Sequence, residues 1–425
     1  MKLNKYLFLF LLGFTIVACD QDISNPNAAT DQQILNSTDG LIAMVNGMQF
    51  RYTAGGASGL YTTISANGLT TNELQILNAG NAELAQLGNG FDNVDPANGV
   101  ISNLWQSMNL IKADADKILE NAPSVIQDSD TRGDVVGAAS FYKALALGTL
   151  AQFWEQAPLN TEDNATFSSR DAALEEAVRL LGDAVSQIGG SLSSAFTSAI
   201  GSDIDFANAA NALSARYQLM LGNLSEAITA ANAVNLSSRS EFRFDNVTPN
   251  PVFRSSLITQ NVYDVNPDFG LSGDLAPDAN DGRIAFYLTP NANSGKGFFT
   301  SDDASIPVFI PGEIMLIKAE ALARQGNMAD AVTELNKVLT KTDDLYGVNA
   351  GLAAYSGEMT SEAILQEIFK NRAIELYMSG MKLEDSRRFG RPGPNDTNPE
   401  RNRNFYPYPV RERDNNPNTP PDPGI

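Results

Sequence analysis

Cys19 is the one cysteine among 425 residues, and its setting assigns it a chemistry. Lys2 and Lys5 precede an apolar run, Tyr6 to Phe14, and Ile16-Val17-Ala18 leads directly into Cys19. A basic start, a short apolar segment and small residues before a cleavage point make a secretory leader. With a cysteine at that point the pattern is a lipobox, where the chain is cut and the new terminal cysteine is acylated. The stretch from Tyr6 to Ala18 is too short for a bilayer, which takes about 20 residues. Several acyl chains make a durable anchor, at about 0.8 kcal/mol per buried methylene. Residues 1–18 are therefore read as a signal peptide. Residues 19–36, polar and aperiodic, are read as a lipid-anchored tether.

The remaining polar residues favour binding over catalysis. The chain has no histidine. That removes the commonest general base, the commonest zinc ligand and every Ser-His or Cys-His nucleophile. Glu375, Glu384 and Asp385 are carboxylates of the kind glycosidases use in pairs. They alternate with Arg387 and Arg388 at helical ion-pair spacing, so they are read as structural. Asp274, Asp278, Asn280 and Asp281 gather oxygens, but not at the spacing of a calcium loop. They are read as a solvated acidic turn. Gly55-Gly56-Ala57-Ser58-Gly59 lacks the Lys-Ser/Thr end of a phosphate loop. No metal and no cofactor is expected. With 29 basic and 50 acidic residues the net charge is −21, deepened to −23 without Lys2 and Lys5. Such a chain repels nucleic acid, whose binding rests on neutralised phosphates. An uncharged ligand fits it best.

The elements that must position a site are mainly helical. Leu41, Ile42, Val45, Met48 and Phe50 predict a helix over about 37–52, and a short one is expected around 60–69. A long loop is expected through Gly88 to Asn93. Leu104, Met108, Ile111, Ala115 and Ile118 recur at three- and four-residue steps, the stripe of an amphipathic helix. Residues 135–153 are nearly all apolar and alanine-rich, which suits the centre of a bundle. Ser169-Arg170-Asp171 opens a helix running through Val185. Gly222-Asn223-Leu224-Ser225-Glu226-Ala227-Ile228-Thr229 matches Gly326-Asn327-Met328-Ala329-Asp330-Ala331-Val332-Thr333. Gly-Asn marks a tight turn between helices, and the pattern is that of a degenerate tetratricopeptide helix pair. Residues 240–305, between the copies, are rich in Asn, Asp, Gly, Pro and Ser with aromatics interspersed. A loop of that length is usually functional. The stretch from Gly390 holds nine prolines and is read as an extended or partly disordered wrap.

In this order the pieces resemble the SusD/RagB family of nutrient-binding lipoproteins. The resemblance rests on the lipobox, LWQSMNLIKADADKIL at 104–119, FYKALALGTLAQFWEQAPL at 141–159 and the two repeats. It continues through EIMLIKAEAL at 313–322, ILQEIFKNRAIELYMSGMKLEDSRRFG at 364–390 and YPYPVRERDNNPN at 406–418. Asn371-Arg372 stands where the family usually has Glu-Arg, and Phe389 where tryptophan is common. The resemblance implies one SusD-like domain over 37–425, with tetratricopeptide-type helix pairs as scaffold and irregular loops carrying the ligand site. It implies a surface lipoprotein of the outer membrane that captures an oligosaccharide or polysaccharide and hands it to a SusC-like TonB-dependent transporter. A peptide-binding lid, or a scaffold that binds no sugar, is the alternative reading. A lipoprotein glycosidase is the more distant one.

Sugars are held by aromatic faces and a few placed polar groups. Trp105 and Trp154 lie at helical spacing in apolar stretches and are assigned to the core. Stacking then falls to loop aromatics: Tyr61, Phe91, Tyr263, Phe269, Tyr287, Phe298 and Phe299. Asn89, Asn93, Asn261, Asp268 and Arg283 are the neighbouring polar candidates.

Overall fold

Helix starts in this chain are set by side-chain caps. Ser37, Ser58, Asn98, Asp128, Ser169, Ser193, Asp205 and Thr360 each accept a hydrogen bond from a first-turn backbone N–H, satisfying donors that a helix end otherwise orphans. The computed structural model describes residues 31–258, 262–291 and 295–425. Cys19 with its leader, the tether to residue 30 and Asn261 lie outside the described residues. A short helix, α1 (Asp31–Leu35), falls within the segment expected to be tether.

The frame follows in chain order. It begins with α2 (Thr38–Thr53), α3 (Gly59–Thr70), β1 (Leu74–Ile76) and α4 (Ala82–Asn89). The two longest helices are α5 (Gly99–Val125) and α6 (Ser129–Phe153). Next are β2 (Gln156–Pro158), β3 (Phe167–Ser169), α7 (Arg170–Gln187) and α8 (Ser194–Ile200). The first repeat forms α9 (Phe206–Leu221) and α10 (Leu224–Asn232). After β4 (Glu241–Phe242), β5 (Tyr263–Val265), α11 (Gly282–Leu288) and β6 (Ile306–Pro307), the second forms α12 (Pro311–Arg324) and α13 (Met328–Leu339). The last elements are α14 (Ser361–Glu375), α15 (Lys382–Arg388) and α16 (Val410–Asn415). The strands pair only two by two: β1 with β5, β2 with β3, β4 with β6, all antiparallel. No helix among the described residues is long and apolar enough to cross a membrane.

The matched octapeptides build the same turn twice. Gly222 and Gly326 are both left-handed, with φ of 78° and 86°. Asn223 N–H donates five residues back to the carbonyl of Gln218, and Asn327 N–H to that of Leu322. This is the bond pattern of a Schellman helix end, where glycine avoids the cost of a Cβ. The two hairpins, 104 residues apart in sequence, are neighbours in space, with α10 packed on α12. Gln325 Nε2 also donates to Ser225 Oγ across the two turns.

A buried ion-pair network ties the later helices together. Arg372 on α14 donates to Asp385 on α15 at 2.8 and 2.9 Å. Arg388 reaches the same carboxylate at 2.6 Å and both oxygens of Glu320 on α12. Glu384 joins Arg170 of α7 and Arg387. Burial alone would raise the Glu320 and Asp385 carboxyls, but the surrounding arginines overcome it and hold both below the ordinary range. The acidic and basic residues read from sequence as ion pairs within one helix are thus largely joints between helices. Glu375 is wholly buried, between Arg283 and Lys341. Asp278 pairs with Lys370, and Asp281 is buried against Arg283 instead of lying in a solvated turn.

Two stretches expected to be loops are more ordered. Residues 82–89 form α4, and β1 is held by pairing with β5 about 190 residues away, a contact no local pattern reveals. The 240–305 insertion contributes Phe242, Phe253, Tyr263, Phe269, Tyr287 and Phe299 to the core. The proline-rich stretch runs extended across the domain. Tyr406 stacks on Phe153 with ring centres 5.6 Å apart, and its hydroxyl donates to the Ala66 carbonyl.

Small residues on α6 set how closely helices approach. A Cβ on Gly148 would meet Cζ of Tyr217 on α9 at 2.0 Å. Gly148→Ala is therefore expected to destabilise the fold by about 2 kcal/mol through overpacking, although alanine is the better helix former by about 1 kcal/mol. Tyr217→Phe removes a buried hydroxyl that has no hydrogen-bond partner among the described residues and is expected to be neutral or stabilising. Thermal unfolding of both variants checks this; a raised Tm for Gly148→Ala would refute the close contact.

Candidate functional site

The structure disperses the loop residues expected to bind ligand. Tyr61 and Tyr263 stack on each other in the core, their hydroxyls bonded to Ser256 and Ser65. Phe269 and Tyr287 pack against Tyr377. Arg283 is fully buried, with Asp281, Glu375 and Asn371 as partners. Phe299 is buried as well. These six residues are buried: the five aromatics serve the core, and Arg283 is held by its ion pairs. Phe298 is half-buried against Phe286 and Tyr346. Asp268 is exposed and closes its own turn by accepting from Gly270 N–H. Asn89 and Asn93 are exposed and Phe91 half-buried, beside the chain at 402–403. Tyr287, Phe298 and Phe299 border an internal cavity of about 80 Å³. That is about half the roughly 150 Å³ that holds a benzene ring, too little for a hexose.

A larger open cleft of about 700 Å³ lies elsewhere. One wall is the first three turns of α5, which present Ser102, Asn103, Gln106, Asn109 and Leu110. The second is the loop from Pro158 to Ala165, between β2 and β3. The third is the segment from Pro409 to Asn416, including α16. Asn98 fixes the start of the first wall by capping α5 and by donating to the Glu83 carbonyl. The second and third walls are joined by asparagines. Asn416 Nδ2 donates to the Ala165 carbonyl at 3.0 Å, and Asn418 Nδ2 to that of Asn164 at 2.6 Å. Asn164 itself is left-handed, with φ of 57°.

The floor is aromatic and its polar edges are occupied. Trp105 is buried between Trp154, Phe167 and Tyr408. Its indole N–H donates to Glu412 Oε2 at 3.0 Å, while Glu412 Oε1 accepts from Asn416. Both oxygens of the one carboxylate at the floor are thus committed. Leu110 and Val410 are the exposed apolar side chains at the rim, 36% and 38% accessible. Lys112 lies wholly buried one turn beyond Asn109. Its Nζ donates to Asn109 Oδ1 at 3.0 Å and to the Pro158 carbonyl. Burial pushes the Lys112 amine down to about 7, with Lys143 acting the same way against Asp116 and Glu412.

What the cleft offers is a set of amides. Asn103, Gln106, Asn109, Asn160, Asn164 and Asn415 each carry both a donor and an acceptor, as a sugar hydroxyl does. Glu162 and Asp163 add negative charge, with Arg411 the cation among the lining residues. Sequence reasoning missed this site because it followed the apolar stripe of the 100–118 helix. The available signal was the opposite stripe, Asn103, Gln106 and Asn109, uncharged amides at steps of three where a solvated face usually carries charge.

Comparison with known proteins agrees with the architecture. A model of the SusD family matches residues 260–422. A SusD-like protein from Bacteroides fragilis is similar over 93% of this chain and 99% of its own, at 13% identity and a TM-score of 0.70. A SusD-like carbohydrate-binding protein from Bacteroides vulgatus covers 84% of each chain, at 16% identity and a TM-score of 0.68. A laminarin-binding SusD-like protein covers 91% of this chain and 99% of its own, at 16% identity and a TM-score of 0.64. Likeness at these identities establishes the fold. No curated protein matches the chain.

The lowered amine of Lys112 makes stability depend on pH. Between about 7 and the ordinary lysine value near 10.5, the unfolded chain holds a proton that the folded chain does not. Stability should therefore rise with pH across that window, by about 1.4 kcal/mol per pH unit and on the order of 5 kcal/mol in all. Lys112→Met should flatten the rise. Urea unfolding between pH 7.5 and 9.5 measures it; equal slopes in both proteins would show that Lys112 keeps its proton.

Proposed function

We propose that this chain is a capture protein of the SusD family, whose model matches residues 260–422, and that it holds an uncharged oligosaccharide in the cleft over α5. The observation that carries the reading is the lining: a groove of about 700 Å³ walled by amide side chains. Its size lies within the 300–1,000 Å³ usual for small-ligand sites. Leu110 and Val410 supply apolar contact for the C–H faces of a sugar ring. Carboxylates at the rim repel uronate or sulfate groups. Two structurally similar proteins are described as carbohydrate-binding and laminarin-binding. Capture is favoured over hydrolysis because the floor carboxylate, Glu412, is held by Trp105 and Asn416.

The placement of this activity follows from the leader. Acylation at Cys19 tethers the protein to the outer membrane, with the cleft facing the medium. A SusC-like TonB-dependent transporter receives the bound sugar. The tether and the family are what support this arrangement.

Calorimetry with neutral gluco-, manno-, xylo- and arabino-oligosaccharides of three to six units tests the reading, beside uronate-containing and sulfated counterparts. At least one neutral series should bind, and the charged ones should not. Gln106→Ala and Asn103→Ala should each weaken binding about five- to tenfold, the loss of one hydrogen bond or so. No binding across the panel, or full affinity in both variants, would overturn it.

A further inference from the structure

Lys112 has no evident structural reason to be a lysine. A buried ammonium is costly unless paired, and the neighbouring carboxylates are engaged elsewhere. Asp116 takes Lys143 and Thr161, and Glu412 takes Trp105 and Asn416. A methionine of similar length would fill the same space without that cost. What the amine does make is two hydrogen bonds to opposite walls of the cleft, Asn109 Oδ1 on α5 and the Pro158 carbonyl at the root of the 158–165 loop.

We infer that Lys112 is a positioning residue, which fixes the Asn109 amide in one of its two flips and holds the cleft walls in register for ligand. An asparagine amide has one acceptor end and one donor end. Here the oxygen accepts from Lys112, and Nδ2 donates to the Trp105 carbonyl at 3.0 Å. Reversing the amide would set its oxygen against the Trp105 carbonyl, losing that bond, and would take from the Lys112 N–H its acceptor. One amide hydrogen and one oxygen lone pair then remain for the cleft, in a fixed sense. A ligand meeting Asn109 therefore meets a set pair of donor and acceptor, with no reorientation at binding. The amine acts from behind Asn109 and is not itself among the residues that line the groove.

The inference rests on reading the cleft as the ligand site, and two measurements keep the two apart. The first needs no ligand. In protein labelled with ¹⁵N at asparagine side chains, the Asn109 signals are those lost in Asn109→Ala. In Lys112→Met their two amide protons should exchange with solvent at least tenfold faster. The second measurement uses the neutral oligosaccharide panel. Lys112→Met should weaken the bound member about tenfold in the wild-type background and less than threefold in Asn109→Ala. A residue that merely stabilised the fold would penalise both backgrounds alike. Unchanged exchange, or equal penalties, would overturn the positioning role while leaving the cleft in place. If the wild type binds no panel member, the cleft reading falls and the inference with it.

Discussion

The Glu320, Arg372, Asp385 and Arg388 cluster is the constraint on which the rest of the architecture hangs. It joins α12, α14 and α15, and through Glu384 and Arg170 it reaches α7. Buried ion pairs add little net stability when complete, but losing one partner strands a charge at a cost of about 3–5 kcal/mol. The cluster therefore acts less as glue than as a specification. The observed docking of these helices gives each of the four side chains an opposite charge to pair with. Arg387 extends the same logic, donating to the carbonyls of Gln152 at the end of α6 and Asn404 in the extended segment. From that fixed point the segment passes Tyr406 and delivers residues 409–416 to the cleft.

The frame was legible in the sequence where the signal was local. The apolar stripe from Leu104 to Ile118 is α5, the alanine-rich run is α6, and the twin Gly-Asn octapeptides are two matching hairpin turns. Elements stabilised from a distance were not legible. β1 exists because Tyr263 to Val265 lies beside it. α4 has a single fully buried residue, Leu87, and a correspondingly weak pattern.

The site was hidden for a different reason. Aromatics in polar, glycine-rich sequence read as exposed, yet Tyr263, Phe269 and Tyr287 are buried because the insertion folds back over the helices as a second layer of core. The residues that do line a groove, Asn103 and Gln106 among them, look like any solvated helix face until the walls opposite are placed. Those walls come from positions about 50 and 300 residues further along. Only tertiary structure brings them together, so no local pattern in the sequence marks the groove.

The stitching of the 158–165 loop by Asn416 and Asn418 also has a bearing on timing. A chain emerging from its amino end completes α5 and the first loop long before the third wall exists. Until residues 409–418 have emerged, Trp105 lacks its acceptor and the loop lacks its ties. A half-emerged molecule therefore has no three-walled groove. The groove exists only when the chain has nearly finished arriving, so an intact groove itself certifies a completed fold.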